Sequence, residues 1–423
     1  MANRVMKDSG IDWIGDIPNK WEIKKGKYVF VERFSNGNNI CLQLLSPTQK
    51  YGVIPQKLYE KYSTQRTVKI DNNKDLSSFK TIKKGDYCIS LRSFQGGFEY
   101  SSYEGVVSPA YKVFYPKIEI NRYYFKYLFK DKGFISKIAS YSDSLRDGKS
   151  ISFNEFGNTL LPIPPLKEQK LIANYLDNKC NEIDKLKEDI TKQINILKEY
   201  KQSVITEAVT KGLNPNVPMK DSGIDWIGEI PQNWEVSKFK FNINIRTQFD
   251  FYNSEYNKYV GLENIISKSG KYIDTKTKYE NGFYDSFKEG DILFSKLRPY
   301  LTKVWMASFN GVCSGEFLII KDFIGEKKYL YYFLFISKFI NKLNSFMYGT
   351  KMPRVSTDII NNLYITIPPL SEQQQIVDYL DIKCAEIDKI ISSKEEQLNT
   401  LEEYKKSLIY EYVTGKKEVP QES

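Results

Sequence analysis

IPPLKEQKLIANYLDNKCNEIDK occupies residues 163 to 185, and IPPLSEQQQIVDYLDIKCAEIDK occupies residues 367 to 389. A double proline leads each stretch, and proline suits the first turn of a helix, where its missing N–H has no partner to lose. Beyond the prolines, residues 166 to 211 hold neither Pro nor Gly, and Leu176, Ile183, Ile190, Leu197 and Val204 recur every seven residues. Cys180, Leu186, Ile194, Tyr200 and Ala208 fill companion positions three or four residues further on, the pattern of a coiled-coil seam. The second copy keeps the heptad as Leu380, Ile387, Leu401 and Leu408, broken once by Lys394, with Cys384, Ile391, Leu398, Tyr404 and Tyr412 alongside. Gly212 and Gly415 stand where the helices should stop. The spacing predicts two helices, over 166–211 and 370–413, each roughly 65 to 70 Å long at about 1.5 Å per residue.

Other segments repeat in the same order. MKDSGIDWIGDIP (6 to 18) returns as MKDSGIDWIGEIP (219 to 231), and EYKQSVITEAVTK (199 to 211) as EYKKSLIYEYVTG (403 to 415). The offset is 213 at the first motif and 204 at the later ones, so the chain is a tandem duplication whose first globule is nine residues longer. That period is too long for a solenoid. Before each double proline the chain is rich in Tyr, Phe, Ile and Val, broken by Gly, Asn and Asp, which reads as short strands and turns with a few helices. Residues 86–91, 110–115, 291–294 and 317–320 are candidate strands, and 123–129 and 329–335 are candidate buried helices.

Two rods with apolar seams pack most economically on each other. Because a globule lies between them in the chain, the pair is expected to be antiparallel, with a globule at each end and pseudo-twofold symmetry. The expected fold class is α+β: two mixed α/β domains separated by two long antiparallel coiled-coil helices. The boundaries fall at 6–165 and 219–369 for the domains, and at 166–214 and 370–413 for the spacer helices. Trp13, Ile14, Ile17 and Trp21, repeated as Trp226, Ile227, Ile230 and Trp234, read as an apolar clamp that seats each domain on a rod end.

Composition limits the chemistry. There is no histidine, which removes the commonest general base and most catalytic zinc sites. Five scattered cysteines with no CxxC pair argue against a disulfide framework or a zinc cage. The start lacks the layout of a signal peptide and no apolar run approaches a membrane span of about 20 residues, so a cytoplasmic protein is expected. Net charge is +10, but residues 166–211 carry net +1 and 370–413 carry net −5, which leaves +14 on the rest. The basic excess therefore belongs to the globules and points to an anionic ligand there; 31 tyrosines and 25 phenylalanines suit a polymer whose phosphates meet Lys and Arg while its bases meet aromatic faces.

The order of globule, PPLxEQ-led helix, globule and PPLxEQ-led helix, with WIGxIPxxW opening each half, resembles the specificity subunit of type I restriction-modification enzymes. GDYCISLRSFQGG (85 to 97), EGVVSPAY (104 to 111), GDILFSKLRPYL (290 to 301), GVCSGEFLII (311 to 320) and KMPRVS (351 to 356) share the resemblance. It implies that each globule is a target recognition domain reading one half of a split double-stranded DNA target, and that the helices set the gap. It also implies two modification (methyltransferase) subunits docked on the helices and carrying S-adenosylmethionine, and restriction subunits using ATP and Mg. This chain would then be non-catalytic and hold no cofactor. Readers on an antiparallel spacer would bind half-sites about one helical turn apart, roughly 34 Å.

Base reading needs donors and acceptors on loops that can enter the major groove, with Arg to guanine and Gln or Asn to adenine the commonest pairings. SLRSFQGGF (90 to 98) supplies Arg92 and Gln95, and SYSDSLRDGKSIS (140 to 152) supplies Arg146 and Lys149. SKLRPYLTK (295 to 303) supplies Lys296, Arg298, Tyr300 and Lys303, and MYGTKMPRVS (347 to 356) supplies Tyr348, Thr350, Lys351 and Arg354. Enzymatic alternatives find little support. The double prolines stand in Ile-Pro-Pro-Leu at a helix start, not in the Asn/Asp-Pro-Pro-aromatic loop of an adenine methyltransferase, and no glycines have a strand-GxGxxG-helix setting. A nuclease-like Asp16 with Glu22-Ile-Lys24 loses its lysine in the second copy, where Ser237 takes its place. A scaffold without nucleic acid would spread its basic excess along the rods, contrary to the charge count.

Overall fold

The computed structural model describes residues 4–35, 43–62, 78–90, 98–141, 153–253, 258–275, 277, 279–349 and 351–420. The chain divides into two compact units, Met1–Asp189 with Gln397–Ser423, and Ile190–Glu396. The heptad stretches form single helices, Leu166–Lys211 and Leu370–Val413, and each unit holds a portion of both. Gly212 and Gly415 follow the helix ends with φ of 75° and 73°, a backbone state that costs glycine little.

In the first unit the strands Phe30–Glu32, Tyr111–Pro116, Tyr87–Ser90 and Phe98–Tyr100 form an antiparallel sheet in that order. Its inner face is aromatic: Phe30, Tyr87, Phe98 and Phe114 are buried against Phe125 and Phe129 of the YYFKYLF stretch, whose helix runs Arg122–Leu128. In the second unit Ile243–Ile245, Phe317–Phe323, Ile292–Ser295 and Val304–Met306 repeat the sheet, and the helix Lys327–Phe333 covers it. A further four-stranded sheet in this unit orders Phe249–Tyr252, Gly282–Phe287, Gly311–Cys313 and Tyr259–Val260, the last pair parallel.

Both sheets are braced by the same device. The Gly-Asp turns place Gly85 and Gly290 at φ of 92° and 82°. The aspartates that follow grip an arginine with both oxygens: Asp86 takes Arg33 Nε and Nη2 at 2.7 and 3.0 Å, and Asp291 takes Arg246 at 2.6 and 3.2 Å.

The PPLxEQ motif explains itself at the helix starts. Gln169 is buried; its Nε2 donates to Pro164 O at 2.8 Å while its Oε1 accepts from Asn121 N at 2.8 Å, just before the helix Arg122–Leu128. Gln373 repeats this with Pro368 O and Glu326 N, both at 2.8 Å. The preceding glutamate differs between copies. Glu168 accepts from Trp21 Nε1 at 2.9 Å, whereas Glu372 accepts from Asn233 and the buried Trp234 Nε1 has no partner among the described residues.

Within each unit the long helices run antiparallel, because partners climb one helix as they descend the other. In the first unit Tyr175 meets Tyr412, Asp184 meets Lys405 and Lys187 meets Glu402. In the second, Lys201 meets Asp388 at 2.8 Å and Lys198 meets Glu395 at 3.9 Å. Leu176, Cys180, Ile183, Ile194, Val204 and Ala208 are buried as the heptad predicts, as are Leu380, Cys384, Ile387, Ile391, Leu408 and Tyr412. Leu186, Tyr200 and Tyr404 are not in the seam: they are 53%, 54% and 53% exposed. The position after each, four residues beyond the heptad leucine or isoleucine, is Lys187, Lys201 or Lys405, and these lysines turn inward to a carboxylate on the facing helix. A polar pair at a seam position fixes register at some cost in stability.

The two tryptophans at the start of each half do not form one clamp on the rod end. Trp21 and Trp234, both fully buried, are the residues at the rod ends: a Cβ at Gly415 would stand 2.5 Å from Pro18 Cδ and 2.9 Å from Trp21 Cη2, and one at Gly212 would stand 3.3 Å from Trp234 Cζ2. Trp13 and Trp226 instead pack edgewise on the globules, Trp13 on Phe134 and Trp226 on Phe333, with centroids 6.3 Å apart in both pairs. Buried tyrosines complete the seating, since Tyr124 Oη donates to Val413 O at 2.8 Å and Tyr329 Oη to Val209 O at 3.0 Å. No helix among the described residues is long and apolar enough to cross a membrane.

Candidate nucleic-acid interface

The strands Ile292–Ser295 and Val304–Met306 are antiparallel partners, so the SKLRPYLTK stretch closes a hairpin. Ser295 N donates to Lys303 O at 3.0 Å and Ser295 Oγ to Leu297 O at 2.7 Å. Between them Arg298 and Thr302 take φ of 50° and 48° on either side of the turn Pro299–Leu301. Left-handed backbone costs an ordinary residue about 1–2 kcal/mol, so the loop is held, not relaxed.

What holds it is the MYGTKMPRVS stretch. Arg298 N donates to Pro353 O at 2.8 Å and Val355 N to Lys296 O at 3.0 Å, so Leu297 and Arg354 bridge the two loops. Arg354 is fixed again from the other side, since it exchanges backbone hydrogen bonds of 3.0 and 3.1 Å with Tyr348. The two stretches, 57 residues apart between Leu297 and Arg354, therefore form one surface. Arg298, Tyr300, Tyr348 and Lys351 are exposed there, and Lys296 and Arg354 are half-buried. Lys303 is turned inward: its Nζ donates to Leu262 O at 2.6 Å and burial lowers its pKa.

Two participants were not singled out from the sequence. The turn containing Lys268 and Gly270, at φ of 58° and 70°, abuts the hairpin through Lys268 N, which donates to Thr302 O at 3.1 Å. The Lys-Ser-Gly run at 268–270 was the available signal. Glu316 touches both loops, through its carbonyl to Lys296 N at 2.8 Å and through its carboxylate to Arg354 Nη2 at 3.1 Å. It lies within GVCSGEFLII (311 to 320), and nothing in that stretch marks it as the link between the loops. Beside this surface a cleft of about 920 Å³ runs to the long helices of the same unit, with Lys268, Lys271 and Tyr300 on one wall and Lys198 and Lys201 on the other.

In the first unit Arg92, Gln95, Arg146 and Lys149 lie outside the described residues, as does Thr350 in the second. The strands that flank 91–97 are paired, with Ile89 opposite Phe98. The strand after that stretch carries Glu99, buried and bonded through Oε1 to Lys130 Nζ at 2.5 Å, with Oε2 lacking a partner among the described residues. Burial pushes the Glu99 carboxyl up from 4.5 to about 7, against the opposing pull of Lys130. A carboxyl raised in the folded state holds its proton there while the unfolded chain has lost it. Stability of the first unit should therefore fall as pH rises from about 4.5 to about 7 and level off above. Chemical denaturation across that range should show the slope, and Glu99→Gln should remove it.

Among the described residues no group of three or more His, Cys, Asp or Glu is placed to hold a metal ion. Cys88, Cys180, Cys313 and Cys384 are free and buried.

Duplicated α/β globules, each packed on portions of two long helices within its own unit, define a tandem architecture of globule and rod. A family model for the type I restriction modification DNA specificity domain matches residues 14–196 and 231–403. The chain belongs to this family, the specificity subunits of type I restriction-modification systems. It is similar to the MjaVIII specificity subunit of Methanocaldococcus jannaschii, 29% identical over 281 residues that cover 62% of this chain and 63% of that one. It is also similar to the EcoDI specificity subunit of Escherichia coli, 27% identical over 56% of each chain. The chain thus matches about three-fifths of the length of these relatives. A chain solved in work on assembly and conformational transition of the type I R-M system shares the fold, with a TM-score of 0.69 at 14% identity over 94% of this chain and 99% of that one.

Proposed function

We propose that each globule reads one half of an asymmetric, bipartite DNA target, while the long helices set the spacing and dock two modification subunits. Restriction subunits complete the assembly, and the chain directs adenine methylation and cleavage without catalysing either. On this reading S-adenosylmethionine belongs to the modification subunits, and ATP and Mg to the restriction subunits. The observation that carries it is the paired-loop surface of the second unit, where Arg298, Tyr300, Tyr348, Lys351 and Arg354 are gathered by main-chain bonds on a rigid sheet. A reading head needs that combination, because base discrimination depends on side chains whose backbones do not move. The first unit shares the sheet and brace, and its Arg92, Gln95, Arg146 and Lys149 are the corresponding candidates. Exposed apolar residues on the rods, among them Ile196, Ile382 and Ile390 at 63%, 61% and 46%, suit protein docking.

Methylome sequencing of cells carrying the system tests the reading, since it returns both half-sites and the gap at once. Arg298→Ala or Arg354→Ala should weaken binding by about 1–3 kcal/mol and relax one base position of one half-site. Uniform loss over all sequences would make the residue a phosphate contact, and no loss would remove it from the interface.

A further inference from the structure

Glu316 joins the two loops of the second unit, by its backbone to one and by its side chain to the other. It stands immediately before Phe317–Phe323, a strand paired on both sides in its sheet, with Phe317 opposite Ser295. Its N–H donates to Ser314 Oγ at 3.3 Å and its carbonyl accepts from Lys296 N at 2.8 Å, so its backbone is tied to the hairpin. The carboxylate reaches across to the other loop and pairs with Arg354 Nη2 at 3.1 Å. The Arg354 side chain is still 41% exposed, and that of Glu316 is 27% exposed.

An unpaired arginine on a surface samples many rotamers, and ordering it on a base costs side-chain entropy. Here the Arg354 backbone is pinned by Tyr348 and by the bridge to Leu297, and one end of its guanidinium is ion-paired with Glu316. A guanidinium carries five N–H donors, so a carboxylate beside Nη2 narrows the positions the side chain samples and leaves donors for an acceptor pair such as guanine O6 and N7.

We infer that Glu316 is a positioning residue for specificity: it holds Arg354 in the orientation that reads a guanine in the second half-site. This rests on the reading of the paired loops as a DNA-facing surface. Glu316 adds no attraction for DNA, since its charge repels phosphate. Its contribution is to discrimination, at some expense of sequence-independent affinity.

That opposition of signs gives the test. The full chain, assembled with its modification subunits, is used to select from a pool of duplexes randomised at both half-sites, and is titrated with random-sequence competitor DNA. Glu316→Gln keeps the side-chain shape and removes the charge. It should lower the preference at one position of one half-site about ten-fold, leave thermal unfolding unchanged, and leave competitor affinity the same or higher. Arg354→Ala should relax the same position, and Glu316→Asp should restore part of the preference. If Arg354→Ala relaxes a position that Glu316→Gln leaves sharp, Glu316 is not the positioning residue, while the DNA-facing reading stands. A uniform loss of binding with a lowered melting temperature in Glu316→Gln also overturns the inference, in favour of a purely structural role. If neither substitution alters selection, the DNA-facing reading of these loops fails and the inference falls with it.

Discussion

Trp21→Ala should cost the first unit about 3–5 kcal/mol, the range for emptying a fully buried aromatic site. The indole is 0% exposed, donates to Glu168, meets Tyr124 edge-on and lies against the glycine that ends the second rod. Removing it opens a cavity where the end of one long helix, the start of the other and the globule of that unit converge. Trp234→Ala should do the same to the second unit, with a somewhat smaller loss because Trp234 Nε1 has no bond among the described residues to break. Hydrogen exchange should localise each defect to its own unit. On the proposed function each variant blurs one half-site and spares the other, and methylome sequencing would report that selectivity. Equal damage to both halves from either change would contradict it.

Asp291→Ala is the second large effect. The Arg246 and Asp291 side chains are 7% and 3% exposed, and removing the carboxylate leaves an interior guanidinium whose remaining bond is to neutral Gln248 Oε1 at 3.2 Å. Breaking a buried pair from one side costs about 3–5 kcal/mol, far more than the pair contributes when intact. Lys288 N would also lose its acceptor at 2.9 Å. Asp86→Ala should cost less, because the Arg33 side chain is 19% exposed, so water reaches it, and it lies over the Tyr115 ring at 4.3 Å. Urea denaturation of the two variants should rank them in that order. Replacing Arg246 and Asp291 together by apolar residues should recover much of the loss.

The architecture was legible because its signals are long. Heptads over 46 and 44 residues, helix-starting prolines and helix-ending glycines all agree, and the antiparallel pairing appears within each unit. The errors came where local chemistry offered two readings of one spacing. Leu186, Tyr200 and Tyr404 read as seam residues because they are apolar, yet the seam runs through the adjacent lysines, whose long stems bury while their amines find Asp or Glu. Trp13 and Trp21 looked equivalent in the repeat, and only packing separates the one on the globule from the one on the rod end. At the candidate interface sequence marked the loops but not their union. The Leu297–Arg354 bridge joins residues 57 apart, Glu316 reaches Arg354 across it, and Lys303 turns inward to a third segment at Leu262 O.

On the proposed function, the bridge also bears on how the target sequence can change. A hairpin stabilised in a left-handed backbone by a second, distant loop is poorly exchanged alone, because a foreign hairpin would have to set an N–H against Pro353 O and a carbonyl against Val355 N in the same register as Arg298 and Lys296 do. Residues 295–303, Glu316 and 347–356 form one inheritable cassette. New specificity should therefore arise by recombination that moves all three pieces at once, and single-loop grafts should yield chains that fold but read no sequence.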